Sequence, residues 1–280
     1  MVSMNHIILP QYDLETTLLG GQSFNWDFYP EENCYYGFTN DKVIKLKKDG
    51  DELFWQTYPE NDNYNFLKTY LRLSVSYSKI LKNIQKDQYI KSAVKKYPNL
   101  RLLKQDFEQS LLSFLISSNN NIKSIRYIVR QMNQRFGKPI NVNSKTIFLF
   151  PDTEVIANAK LEDLLKCKLG FRAKYVKGTA QYLIKTNLKE KITKLKEQDA
   201  RNELKKIKGV GDKITDCVLV FALSFDNVTP LDIWGKRFLT KFYKLNPKMK
   251  YEEMRTWISN YFNGYTSWAG QFLYEYIRHI

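Results

Sequence analysis

The stretch Leu204-Lys205-Lys206-Ile207-Lys208-Gly209-Val210-Gly211-Asp212-Lys213-Ile214-Thr215-Asp216-Cys217 changes character at its centre. Apolar residues at Leu204, Ile207, Val210, Ile214 and Val218 keep a helix-compatible spacing on either side of a Gly-Val-Gly interruption. A short helix ends, a tight turn follows, and a second helix opens near Asp212. Glycines at 209 and 211 permit positive φ and let the backbone approach a partner closely. The amides that open the second helix point outward with the positive end of its dipole, a ready phosphate site.

Helix, Gly-x-Gly turn and helix with those apolar positions make a helix-hairpin-helix motif, which holds a DNA backbone without reading its bases. The bland alternative is a glycine-capped corner inside a core. Lys213 falls in the first turn of the second helix, where the dipole disfavours its positive charge. A partly neutral amine is a nucleophile able to form a Schiff base. The competing reading is one more basic residue on a phosphate, and the hairpin alone does not separate the two. One helix further on, Thr229-Pro230-Leu231-Asp232-Ile233-Trp234 reads as a loop whose Asp232 caps a helix starting near Ile233. An antiparallel return brings Asp232 back toward the hairpin. A carboxylate beside a deoxyribose stabilises positive charge developing at C1′ as a base departs, and it can deprotonate a nucleophile. A purely structural N-cap is the alternative.

The helical period around the hairpin extends from Gln105 to the C-terminus. Phe107, Leu111, Phe114 and Leu115 share one face up to Ser117-Ser118-Asn119-Asn120-Asn121. Ile122, Ile125, Val129, Met132 and Phe136 then form an amphipathic stripe, with Lys123, Arg126 and Arg130 on the other side. Further helices are predicted at 153–168, 173–186, 200–207, 212–223, 234–243, 251–261 and 267–278. Upstream, Cys34–Phe38, Lys42–Lys47 and Glu52–Tyr58 read as strands of an antiparallel meander, with turns at Asn40-Asp41 and Asp49-Gly50-Asp51. Residues 64–97 read as helical and lysine-rich, closed by Pro98. The predicted fold class is α+β: an N-terminal twisted antiparallel β-sheet domain with flanking helices, 1–104, packed on a larger all-helical domain, 105–280, that contains the hairpin.

Composition agrees and narrows the chemistry. The 280 residues are 43% hydrophobic and 15% aromatic, a globular composition, and the net charge of +15 suggests a polyanionic partner, nucleic acid before membrane. The longest apolar run, Cys217–Phe225, is broken by Ser224 and is far shorter than the roughly 20 residues of a membrane span. The first residues show no basic region followed by a long apolar one, so no secretory signal is expected. Cys34, Cys167 and Cys217 are too few for a four-cysteine iron–sulfur cluster and form no C-x-x-C. His6 and His279 sit one near each end, which argues against a histidine triad or a HExxH zinc site. Catalysis must rest on Lys, Asp, Glu, Tyr, Cys or Ser.

Hairpin, lysine in its second helix and aspartate in the next loop together resemble the DNA glycosylases of the helix-hairpin-helix superfamily. The chain is similar in particular to the 8-oxoguanine DNA glycosylase/AP lyases. That likeness rests on these elements and on four more blocks: Gly21-Gln22-Ser23-Phe24-Asn25-Trp26, Leu102-Leu103-Lys104-Gln105-Asp106, Ser117-Ser118-Asn119-Asn120-Asn121 and Leu169-Gly170-Phe171-Arg172-Ala173-Lys174-Tyr175-Val176. The resemblance implies Lys213 as nucleophile and Asp232 as essential carboxylate, acting on a base flipped out of the duplex. It implies that the Gly21 carbonyl accepts the N7–H of the lesion, where guanine would present a lone pair, and that Cys217 and Tyr274 sandwich the base beside Pro230 and Gln271. Asn119, Phe171 and Arg172 would fill the stack opposite, while Gly209, Gly211 and Trp234 would meet the backbone.

Three positions depart from the family. Ser124 stands where eukaryotic members have an arginine that reads cytosine, so a relaxed opposite-base preference is expected. Trp234 replaces a histidine. Gly270 replaces the pocket glutamine, with Gln271 one place on, about 100° around a helix. These departures, and an end at Ile280 without a basic tail, suggest a bacterial or archaeal-type member, monomeric and cytoplasmic, associated with the nucleoid. The implied partner is double-stranded DNA containing 8-oxoguanine; no cofactor, no metal and no membrane association are expected. Two alternatives stay open: a glycosylase of the same superfamily for another damaged base, and a non-catalytic DNA-binding module.

Overall fold

The computed structural model describes residues 4–39, 41–60 and 64–280. Five strands, β1 (Asn5–Ile8), β2 (Trp26–Tyr29), β3 (Cys34–Phe38), β4 (Val43–Asp49) and β5 (Glu52–Tyr58), form one antiparallel sheet in the order β1-β5-β4-β3-β2. The meander is as read from sequence, and Gly50, at φ +53°, closes the β4–β5 turn. Of the Asn40-Asp41 turn, Asn40 lies outside the described residues. The sheet gains β1 and β2, whose four residues each are too short to show a period. Side-chain alternation splits the sheet between two cores. Cys34, Tyr36 and Phe38 enter the main core, whereas Ile44, Leu46, Leu53 and Trp55 enter a smaller one with Trp26, Leu67 and Leu71.

Helix α1 (Leu14–Leu19) lies between β1 and β2, and its cap Asp13 accepts from the Thr16 amide. The predicted helical run 64–97 is three helices, α2 (Tyr64–Tyr70), α3 (Tyr77–Ile84) and α4 (Gln88–Lys96). The run breaks where Arg72 takes a left-handed φ of +52° and where Asp87 caps α4 through the Tyr89 and Ile90 amides. Helices α3 and α4 pack on the last helix of the chain. Two of the sequence blocks then meet across about eighty residues. The Gln22 side chain donates to the carbonyls of Thr17 and Arg101 at 2.9 and 2.8 Å and accepts the Leu103 amide at 2.8 Å, while Gln105 Nε2 donates to Gln22 O at 2.5 Å. A buried amide with every group paired holds the loop before β2 in one place.

The helical part runs α5 (Phe107–Ile116), α6 (Ile122–Phe136), a hairpin of β6 (Pro139–Val142) and β7 (Lys145–Phe148), α7 (Thr153–Asn158), α8 (Leu161–Lys166), α9 (Ala173–Thr186) and α10 (Leu188–Ile192). It closes with α11 (Glu197–Lys205), α12 (Asp212–Phe221), α13 (Ile233–Lys241), α14 (Tyr251–Phe262) and α15 (Thr266–Arg278). Asp106 and Asn121 cap α5 and α6 with side-chain bonds to Gln109 and Ser124 amides. The single helix read over 153–168 is two, parted at Ala159-Lys160, and the β6–β7 hairpin was not read at all, again because four-residue strands carry little pattern. The basic side of α6 is partly structural. Arg130 pairs with Asp27 of β2, and Arg126 donates to the Leu19 carbonyl at 3.2 Å. Trp268, fully buried, sits in the main core, where α12 packs on α5 and α11, and α13 packs on α15. No helix among the described residues is long and apolar enough to cross a membrane.

Candidate active site

Helices α5, α6, α12, α13 and α15 leave one cleft of about 1430 Å³ among them. Its floor begins at the hairpin. Gly209 holds φ at +93°, and a Cβ there would lie 2.7 Å from the Tyr175 ring. Gly211 is the N-cap of α12, open to the cleft. Lys213 follows in the first turn and donates from Nζ to Ser117 Oγ at 2.8 Å. The Ser117 hydroxyl in turn donates to the Phe114 carbonyl at 2.6 Å, and Nζ lies 5.3 Å from the Phe114 ring centroid. The end of α5 therefore aims the amine into the cleft. Ser117 opens the Ser117–Asn121 segment, and nothing in its spacing marks it as the lysine's partner.

Asp232 caps α13 as read: its Oδ1 accepts the amides of Trp234 and Gly235, both at 2.9 Å. Its Oδ2 takes no hydrogen bond among the described residues, and the half-buried carboxyl lines the same cleft as Lys213. The loop that carries it is tied to the hairpin helix. Tyr251 Oη accepts the Leu231 amide at 3.1 Å and donates to Asp216 Oδ2 at 2.5 Å. Asp216, fully buried one turn beyond Lys213, pairs with Arg201 at 2.6 Å. Burial pushes the Asp216 carboxyl up to about 6 although Arg201 draws it down. One hydroxyl thus joins the loop before Asp232 to the helix of Lys213, an arrangement that local sequence patterns do not show.

Gly21, Cys217, Pro230, Gln271 and Tyr274 line the same cleft, Cys217 and Gln271 being buried. Gly21 takes φ +88°, with Ile122 Cδ1 and Tyr274 Oη at 2.6 and 3.3 Å from where a Cβ would stand. Cys217 is buried, and desolvation pushes its thiol up to about 12, so it is a neutral, apolar wall. The Arg278 guanidinium lies 4.9 Å from the Tyr274 ring centroid. Gly270 and Thr229 explain each other: a Cβ at 270 would fall 1.8 Å from Thr229 Oγ1 and 2.7 Å from its Cβ. Gly270→Gln is therefore expected to destabilise the protein by about 1–3 kcal/mol in urea denaturation, because Thr229 and the loop to Asp232 must shift. Unchanged stability would contradict this packing.

At the mouth, Asn119 is exposed with φ +50°. Arg172 Nε donates to Ser118 O at 2.8 Å and Nη2 to Asn119 O at 3.0 Å, so the arginine braces the Asn119 loop. Phe171, 56% exposed, stands on the adjoining 3₁₀ turn with the Arg172 guanidinium 4.5 Å from its ring centroid. Neither Phe171 nor Arg172 lines the cleft itself, whereas Asn119, Gly209, Gly211 and Trp234 do. Ser124 sits in the first turn of α6, beside the lining residues Lys123 and Ile125.

Residues 7–111 match the 8-oxoguanine DNA glycosylase N-terminal domain, and residues 112–263 match the HhH-GPD superfamily base excision DNA repair protein family. The chain belongs to the 8-oxoguanine DNA glycosylase branch of the HhH-GPD superfamily. The N-glycosylase/DNA lyase of Saccharomyces cerevisiae is 28% identical over 270 residues, 87% of this chain and 72% of that protein. A solved structure of the Clostridium acetobutylicum 8-oxoguanine glycosylase/lyase, in complex with double-stranded DNA containing cytosine opposite 8-oxoguanine, superposes with TM-score 0.91. It is 28% identical and covers 100% of this chain and 96% of that one. The 3-methyladenine DNA-glycosylase of Archaeoglobus fulgidus, at 19% identity and TM-score 0.80, shares the fold.

One buried acid of this HhH-GPD chain lies behind the pocket. Glu275 is 2% exposed, and desolvation pushes it up to about 7 against the pull of Arg278. In the unfolded chain the carboxyl ionises near its ordinary 4.5. Between those values the unfolded state holds fewer protons, so this group lowers stability as pH rises from about 4.5 to 7. Glu275→Gln removes that slope. Relative to wild type the variant is expected to gain about 2–3 kcal/mol between pH 4.5 and 8, read by urea denaturation across pH. A pH-independent difference would refute the buried, raised carboxyl.

Proposed function

We propose that this chain is a bifunctional DNA glycosylase/AP lyase that excises 8-oxoguanine from duplex DNA in base excision repair. The observation that carries the reading is the shared cleft: an amine aimed by Ser117 and a carboxylate with one free oxygen face the same space. The duplex backbone lies along Gly209–Gly211 and the start of α12, where outward amides and a dipole favour phosphate. Asn119, braced by Arg172, takes the gap left by the flipped base, and Phe171 wedges into the stack.

The base enters between Cys217 and Tyr274, with Pro230 and Gln271 beside it. Its N7–H donates to the Gly21 carbonyl, an interaction that guanine replaces with two opposed lone pairs, a difference of a few kcal/mol. Lys213 Nζ attacks C1′ as the C1′–N9 bond breaks and its electron pair leaves with the base. Asp232 Oδ2 offsets the positive charge that develops on the sugar. Loss of a proton from nitrogen and opening of the sugar ring give the imine. Removal of a C2′ proton then expels the 3′ phosphate and nicks the strand. As proposed, the enzyme works as a monomer on the nucleoid of a prokaryotic cytoplasm.

Excision measured on 8-oxoguanine duplexes with each of the four opposite bases tests the reading. Release is expected with all four and with a narrow spread, because Ser124 offers cytosine no guanidinium. No release from any duplex would overturn the function, and a strong cytosine preference would overturn the role given to position 124.

A further inference from the structure

Glu275 takes no part in the steps above, yet it bonds to Gln271 of the base pocket and abuts the loop that carries Gly21. It lies one turn along α15 from Gln271 and accepts from Gln271 Nε2 at 3.3 Å and from Arg278 Nη1 at 3.2 Å. The same Arg278 nitrogen donates to the Gly20 carbonyl at 3.1 Å, next to Gly21, and its guanidinium lies over Tyr274. A Cβ on Gly20 would stand 2.5 Å from Glu275 Oε1, so the carboxylate abuts the Gly20-Gly21 loop directly. A buried carboxylate and its partly exposed arginine partner therefore back Gln271, Tyr274 and the loop that carries the proposed lesion-reading carbonyl.

An ionised carboxylate can only accept. Against Gln271 it settles which end of the amide faces it: the NH₂ group turns to Glu275, and Oε1 is left for the cleft. Among the described residues Gln271 Oε1 takes no hydrogen bond, and Gln271 lines the cleft. An acceptor there suits a purine whose Watson–Crick edge donates. A guanine-type edge offers two adjacent donors, N1–H and an exocyclic NH₂, whereas an adenine-type edge sets its single donor, the exocyclic NH₂, beside a bare N1 lone pair that an amide oxygen repels. We infer that Glu275 is a positioning residue that holds the Gln271 amide oxygen-outward and so selects flipped purines with a guanine-type Watson–Crick edge. This rests on the proposed flipping of an oxidised purine into the cleft, and it adds a second selection, separate from the N7–H read at Gly21. Arg278 and Tyr274 of the same helix, Asp13 at the cap of α1 and Tyr97 after α4 are the titratable groups that face Glu275. Assays belong at pH 8, where the carboxyl is ionised.

8-Oxoguanine and 8-oxoadenine share the N7–H and the C8 carbonyl and differ at the Watson–Crick edge. Single-turnover excision of each, opposite cytosine, is compared in wild type, Glu275→Gln, Gln271→Met and the double variant. Glu275→Gln is expected to lower the 8-oxoguanine to 8-oxoadenine rate ratio about tenfold, since an amide at 275 both donates and accepts and leaves either orientation of Gln271 open. Gln271→Met lowers the ratio as well, and adding Glu275→Gln to it changes the ratio no further. The ratio is internal to each preparation, so a smaller folded fraction cancels. An unchanged ratio in Glu275→Gln, or an equal drop when Gln271 is already Met, overturns the role of Glu275. A wild type that releases neither base overturns the parent reading instead.

Discussion

Lys213→Gln is expected to abolish borohydride cross-linking to 8-oxoguanine duplex and to lower base release by on the order of 10³-fold or more. The substitution keeps most of the length and the polarity of the side chain while removing the only atom that can form an imine. Its structural cost is small. The lysine donates to Ser117, lies beside the Phe114 ring and interacts with the Cys217 thiol, all inside an open cleft. Losing them costs about 1–2 kcal/mol, so the variant folds and binds the duplex. Strand nicking disappears with cross-linking, because elimination runs through the same imine. Equal trapping by wild type and variant would refute the lysine as nucleophile.

Asp232→Asn separates two roles of one side chain. As a cap, asparagine serves as well as aspartate, since its amide oxygen accepts the Trp234 and Gly235 amides in the same way. Stability is therefore expected to stay within about 0.5 kcal/mol of wild type. As a charge, asparagine fails. Excision of 8-oxoguanine is expected to fall about 10²–10³-fold, the loss typical of removing one preorganised electrostatic partner from a transition state. Trapping at a preformed abasic site should fall much less, because no base has to leave there. Undiminished excision would reduce Asp232 to a structural cap. A large loss of stability would show that the cap depends on the negative charge itself.

The proposed pocket residues follow a different logic from Lys213 and Asp232. The helix positions of Lys213 and Asp232 were legible because each breaks or fulfils a local rule: a cation at a helix N-terminus, and a carboxylate ahead of a helix. Gly21, Cys217 and Tyr274 obey no local rule. A glycine in a loop, a buried thiol and an aromatic on a packed helix are ordinary in any domain, and only the family resemblance singled them out. Ser117, Thr229 and Glu275 escaped even that. Ser117 meets Lys213 across 96 residues, and Glu275 meets the Gly20 loop across some 250, separations no periodicity can report. The break at 159–160 and the short strands β1, β2, β6 and β7 escaped for a simpler reason, since four residues span too little of either period to be told apart.

Determined by the chain itself were the α+β class, the meander from Cys34 to Tyr58, the hairpin with its second helix, and the cap at Asp232. Each depends on neighbours within a few residues, where spacing, turn chemistry and capping act directly. Tertiary structure alone decided that Ser117 aims the amine into the cleft, that Tyr251 ties the segments of Lys213 and Asp232 together, and that Gly270 yields its space to Thr229. Those outcomes depend on which distant surfaces pack together. Packing is settled by shape and by pairing of buried polar groups over the whole core, not by the order of residues along any one stretch.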